Sequence, residues 1–196
     1  MTRGKWIGWG LAALLLALAI AYLSMVRITV LPPDQARAAV GAPQRIEAER
    51  VDRQPLVVPV AGITRGQLSN TWGDSRGGGA RQHNAIDIMA PRGMAVLAAA
   101  SGRVEKRFES GNGGHTLYVR LPDNRTVHYY AHLDRYLAAE GQVVRQGQQI
   151  ATVGDTGSAA GGAPHLHFEI KTMRAGERWW QGANVNPYPL LMRGGD

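Results

Sequence analysis

The chain has 196 residues, a formal net charge of +7 and no cysteine. This length suits one well-buried domain with extra segments and is short for two full domains. Without cysteine, disulfide frameworks and thiolate chemistry are excluded, and any metal must be held by histidine and carboxylate. Arg3, Lys5 and Arg27 are three of the 22 basic residues, leaving 19 against 15 acidic ones beyond residue 27. The positive excess suits an acidic partner such as a membrane surface or an anionic wall polymer. Nucleic-acid binding is not indicated, because there is no Lys/Arg run and no aromatic-interleaved basic motif.

Residues 6–26 form a stretch with no charged residue, rich in Leu and Ala, long enough to span a ~30 Å hydrocarbon core as a helix. Arg3 and Lys5 precede it, which places the N-terminus in the cytoplasm and carries the remainder across the membrane. Ala19-Ile20-Ala21 resembles a signal-peptide cleavage site. However, Leu23, Met25 and Val26 continue the apolar run past it, so residues 1–27 are read as a cytoplasmic tip and transmembrane anchor. Either way the rest of the chain is exported. Residues 28–54 begin with Leu31-Pro32-Pro33-Asp34 and carry too few large apolar residues to form a core, which predicts a stalk or linker.

Residues 55–192 read as one domain. The pattern becomes short β-type runs at 96–99, 102–108, 116–121, 126–132 and 149–153, separated by turn-forming Gly, Asn, Asp and Pro. Long 3.6-period stretches are lacking, so a mainly antiparallel β domain is expected. A short helix is expected at 135–140 and a hairpin edge at 143–150.

Four of the six histidines lie in three fragments, His83-Asn84-Ala85-Ile86-Asp87, Tyr130-Ala131-His132-Leu133 and His165-Leu166-His167-Phe168-Glu169. His83 and Asp87 are four apart and face the same way on a strand or a helix, and Pro91 with nearby glycines favours a strand or strand entry. His165, His167 and Glu169 alternate with Leu166 and Phe168, placing polar groups on one strand face and apolar ones on the other. Two histidines and one carboxylate leave a fourth zinc position open, which is where a hydrolytic metal holds its water. Glu169 and Asp134 are candidates for orienting an imidazole. His115 is expected to be structural, and His128 to occupy a cross-strand surface position, with a groove role on the face of His132 as the alternative. Trp72, Trp179 and Trp180 are expected in core or rim packing, with a groove-lining role as the alternative.

These fragments resemble the lysostaphin/LytM-type zinc endopeptidases, which cleave peptide cross-links of bacterial peptidoglycan. The resemblance covers about residues 56–172. Its carriers are a His-x3-Asp element (His83, Asp87), a Tyr-x-His-Leu element (Tyr130, His132, Leu133) and a His-x-His element (His165, His167), with Asn112-Gly113-Gly114 and Gly154-Asp155-Thr156-Gly157 as turns. It implies an antiparallel sheet or sandwich of the duplicated-hybrid-motif type and one zinc ion held by His83, Asp87 and His167. His132 and His165 would form a non-ligand catalytic pair.

The implied protein is a membrane-anchored, periplasmic zinc metalloendopeptidase whose partners are peptidoglycan peptides and the membrane. The alternative is a non-hydrolytic domain of the same fold that activates another wall hydrolase, with an unknown regulatory partner. Ala85 stands where the family usually has glycine, which puts local backbone geometry in question. A lipoyl-like carrier would need a lysine at a hairpin tip, whereas Lys106 and Lys171 lie inside expected strands.

Overall fold

The structure, a computed structural model, describes residues 55–76 and 78–193. The expected anchor and the stalk lie outside the described residues. Among the described residues no helix is long and apolar enough to cross a membrane.

The alternating run His165–Thr172 forms a strand with every second residue buried, as its pattern dictates. Eleven strands are present among the described residues: β1 (Ser75–Arg76), β2 (Arg81–Gln82), β3 (Ile86–Met89), β4 (Ala95–Leu97), β5 (Gly102–Ser110), β6 (Gly114–Arg120), β7 (Thr126–Tyr136), β8 (Val143–Val144), β9 (Gln149–Val153), β10 (His165–Thr172) and β11 (Ala183–Val185). Strands β1 and β2 make a small ribbon. The other nine belong to one antiparallel sheet with a path β11-β10-β7-β6-β5-β8, β3 pairing with β10, and β9 joining β4 to β7.

The mainly antiparallel β fold is therefore as expected, and β9 has the expected bounds. Two local expectations fail. The helix at 135–140 is absent because β7 runs on to Tyr136, where it pairs with Ala151 of β9. The 143–150 segment is not a hairpin, since β8 pairs with β5 while β9 pairs with β4 and β7. Its turn signals are correct, but non-local pairing decides where the strands go.

The core lies on one face of the sheet. Ile86 and Ile88 from β3, Leu166 and Phe168 from β10, and Tyr130 from β7 are at most 3% exposed. Tyr130 is buried without a loss of hydrogen bonding, because its hydroxyl accepts from the Ala99 N–H at 2.9 Å. His128 faces this core, not the surface as expected. It is 1% exposed and packs edge-on to Phe168 with ring centroids 5.4 Å apart. Its Nδ1 has no hydrogen-bond partner, and burial pushes its pKa down to about 4 against weak opposition from Asp123.

The C-terminal helix α1 (Pro187–Met192) starts at Asn186, whose side chain accepts from the Tyr188 N–H at 2.9 Å. Arg65 donates from Nε to the Leu191 carbonyl at 2.8 Å, which ties this end to the start of the domain.

The opposite face of β7 and β10 carries the histidines. Up to Ala131, β7 pairs with β10, and from Leu133 onward β9 takes the place of β10. His132 sits at that change of partner with φ 59, one of two non-glycine residues with positive φ among those described. Strict alternation would send His132 to the core side with His128 and Tyr130. The left-handed backbone instead leaves it lining the groove beside Ala131. Gly154 makes this junction possible, because a Cβ there would lie 2.6 Å from the Asp134 nitrogen and 2.8 Å from the His132 carbonyl oxygen.

Candidate metal centre

Asp87 lies on β3 directly opposite His167 of β10, so sheet register alone brings this pair together. His83 enters from the segment between β2 and β3, held by a hydrogen bond from its N–H to the Asp74 carbonyl at 2.9 Å. The resulting cluster is tight. His83 Nε2 is 3.0 Å from Asp87 Oδ1 and 3.1 Å from His167 Nδ1, and His167 Nδ1 is 3.2 Å from Asp87 Oδ1. Bonds of about 2.0–2.1 Å in a tetrahedral site separate donor atoms by about 3.3–3.4 Å, so the triangle is within a few tenths of an ångström of zinc geometry.

The outer hydrogen bonds support the tautomers that a cation would need. His83 Nδ1 donates to the Thr71 carbonyl at 2.8 Å, and His167 Nε2 donates to Glu169 Oε1 at 3.1 Å. This leaves His83 Nε2 and His167 Nδ1 as the lone-pair nitrogens. Two lone pairs and a carboxylate oxygen converge on one point, and such a donor set suits a cation. His83, Asp87 and His167 form the only group of three or more such side chains with donor atoms this close among the described residues.

Burial alone would raise the Asp87 pKa, but the His167 and His83 side chains set against it hold it well below the usual carboxylate range. Burial likewise opposes charge on His167, and Asp87 and Glu169 outweigh it and raise its pKa. Glu169 is held ionised against its burial by His167 and Lys171.

The other two histidines stand beside the cluster. His132 donates from Nδ1 to the Thr156 carbonyl at 2.7 Å, and His165 from Nδ1 to the Ala163 carbonyl at 2.9 Å. In both rings Nε2 keeps the lone pair. His165 Nε2 lies 3.9 Å from Asp87 Oδ1, and the His132 and His165 rings are 4.9 Å apart. Burial pushes the His132 pKa down to about 4. All five residues singled out in the sequence meet in one groove of ≈ 660 Å³. A larger groove of ≈ 880 Å³ at the β5 and β8 edge contains none of them.

Glu169 does orient an imidazole. Asp134 does not, since its carboxylate pairs with Arg92 at 2.8 Å. His115 is structural as expected, with Nδ1 3.2 Å from the Asp134 carbonyl and its ring beside Tyr136. Ala85 is fully buried and is not among the positive-φ residues, so its methyl needs no strained backbone.

Sequence inspection missed Thr71 and Arg76. The Thr71 hydroxyl accepts from the Asp87 N–H at 2.9 Å, and Arg76 Nη2 donates to Asp87 Oδ2 at 2.5 Å. Arg76 Nη2 is also 3.2 Å from His83 Nδ1, but that nitrogen's proton already points to Thr71. The contact that counts is therefore the one to Asp87, which occupies Oδ2 and leaves Oδ1 for the cluster. Both residues lie in irregular or two-residue elements, where no periodicity signals a role.

The structure resembles the catalytic domain of the antimicrobial peptidase lysostaphin from Staphylococcus simulans, with a TM-score of 0.55 and 27% identity over 64% of this chain and 91% of that one. The fold is thus lysostaphin-like. Residues 81–187 match Peptidase family M23, and the chain belongs to that family. Among curated relatives, the L-Ala–D-Glu endopeptidase of Bacillus subtilis (strain 168) is 36% identical over 130 residues, which is 62% of this chain and 38% of that protein. The murein hydrolase activator NlpD of Escherichia coli (strain K12) is 36% identical over 128 residues, or 65% of this chain and 30% of that protein. The chain therefore spans about a third of the length of these relatives.

Proposed function

We propose that the domain is a zinc metalloendopeptidase that hydrolyses peptide cross-links of peptidoglycan, with His83, Asp87 and His167 as ligands. The observation that carries this is the convergence of three donor atoms within 3.0–3.2 Å of one another beside two further imidazoles. A zinc ion in this site would polarise the scissile carbonyl and bring its water's pKa toward neutrality. Glu169 and the Thr71 carbonyl hold the two ligand rings in the binding tautomer, and Arg76 fixes the carboxylate. His132 and His165 supply lone-pair nitrogens on the groove side. These are positioned to accept a proton from the attacking water and return it to the leaving amine. Burial lowers the His132 pKa and so favours its neutral form.

The uncharged segment at 6–26, preceded by Arg3 and Lys5, supports tethering to the cytoplasmic membrane with the domain in the periplasm, opposite the wall. The similarity to NlpD supports a second reading, in which the domain activates another wall hydrolase through a protein partner. A complete set of ligands and flanking histidines favours the enzyme. Incubating the full chain and zinc with purified sacculi, followed by mass spectrometry of the supernatant, separates the two. The enzyme releases peptide fragments unaided, whereas an activator releases them only when a second hydrolase is added.

A further inference from the structure

The ligand-bearing face of the sheet does not stop at the histidines. His167 on β10 is opposite Ala131 on β7, Tyr129 is opposite Tyr118 on β6, and Thr116 is opposite Phe108 on β5. These residues share the face that carries the ligands. Tyr118, Val127, Tyr129, Ala131 and Met173 form a hydrophobic cluster separate from the main core, with Trp179 packed against it. Tyr129 and Ala131 also line the groove, so cluster and groove are continuous.

An aromatic wall stands at the far end. The Trp179 ring is 4.6 Å from Tyr118 and 5.2 Å from Phe108, and Trp180 is 5.0 Å from Trp179. Trp179 packs against the apolar cluster, and the outer members of the wall are not covered, since Trp180 is 49% and Phe108 41% exposed. The wall is also held in shape. The Glu177 carboxylate accepts from the Arg174 N–H at 2.7 Å, and the Gln181 side chain from the Arg178 N–H at 2.8 Å. The Arg178 guanidinium lies 5.2 Å from the Trp180 ring centroid. An exposed indole is a costly surface feature unless something covers it, and an ordered turn lowers the entropy cost when something does.

We propose that the Trp179–Trp180 wall is a docking surface for the glycan strand that carries the peptide substrate. This rests on the peptidoglycan reading of the groove. The apolar C–H faces of N-acetylated sugars stack on exposed indoles, whereas the extended peptide would follow the groove that Tyr129 and Ala131 line. The span agrees. From β10 to β5 is three strand spacings of about 4.7–4.9 Å, or about 14 Å. An extended peptide covers that in about four residues. A short stem peptide with its scissile bond at the histidines therefore places its sugar at the wall.

The test uses the full chain with ¹⁵N-labelled tryptophan. The probes are a peptide-free tetrasaccharide of alternating N-acetylglucosamine and N-acetylmuramic acid, and a glycan-free tetrapeptide. The tetrasaccharide is expected to shift the indole N–H signals of Trp179 and Trp180 but not that of Trp72. Trp180→Ala should weaken its binding at least fivefold, and Trp180→Tyr should restore part of it. In hydrolysis, Trp180→Ala should lower the preference for glycan-bearing over glycan-free peptide at least fivefold. Absence of the indole shift overturns the proposal, as does a shift produced by the tetrapeptide alone. If the unmutated chain binds the tetrasaccharide at the wall but cuts neither substrate, the peptidase reading fails while glycan docking stands.

Discussion

His128 gives the sheet a pH-sensitive weak point that is independent of the metal cluster. It is fully enclosed, its Nδ1 has no partner, and burial lowers its pKa to about 4, against about 6.5 in an unfolded chain. With the folded value below the unfolded one, the unfolded state takes up the proton first as pH falls. The neutral ring's contribution is therefore complete above pH 6.5 and is lost progressively between 6.5 and 4. Linkage puts the loss at about 2 kcal/mol by pH 5 and about 3 kcal/mol by pH 4. Urea unfolding of the full chain in chelator, compared with His128→Leu at pH 8, 6, 5 and 4, isolates this contribution, because every other titrating group is common to both. The stability of the unmutated chain should fall by about 3 kcal/mol more than that of the variant between pH 8 and 4. Parallel curves would refute the assignment of a buried neutral imidazole at this position.

Glu169→Gln removes the charge that holds His167 in its ligand tautomer, and zinc affinity should drop about 10–100-fold in competition with a chromophoric chelator. Unchanged affinity would show that Glu169 does not orient the ring. Gly154→Ala forces a methyl against the backbone of Asp134 and His132, and should cost about 1–3 kcal/mol in urea unfolding. A neutral effect would mean that β9 can move away from the bend in β7.

Much of this was legible because it follows from period-two patterning. The alternation in residues 165–169 placed His165, His167 and Glu169 on one face and buried Leu166 and Phe168, which is how β10 lies. The same rule failed at His132, where positive φ at the change from β10 to β9 reverses the expected side. It also left the face of His128 ambiguous. A run of seven buried residues in β7 cannot reveal which side is core and which is groove. Arg76 and Thr71 were invisible because their contacts depend on how an irregular segment folds back over β3. The false helix at 135–140 and the false hairpin at 143–150 came from local propensity, which long-range pairing overrode.

On the proposed function, three of the five clustered residues hold a metal and two serve the chemistry. Zinc stoichiometry and fragment release from sacculi, measured together on the full chain, His83→Ala and His165→Ala, test that division directly. The unmutated chain should bind about one zinc, as a single three-ligand site requires, and release peptide fragments. His83→Ala should lose both properties, and His165→Ala should keep the zinc and release nothing. Full zinc in the unmutated chain with no fragments, or undiminished hydrolysis by His165→Ala, would contradict it.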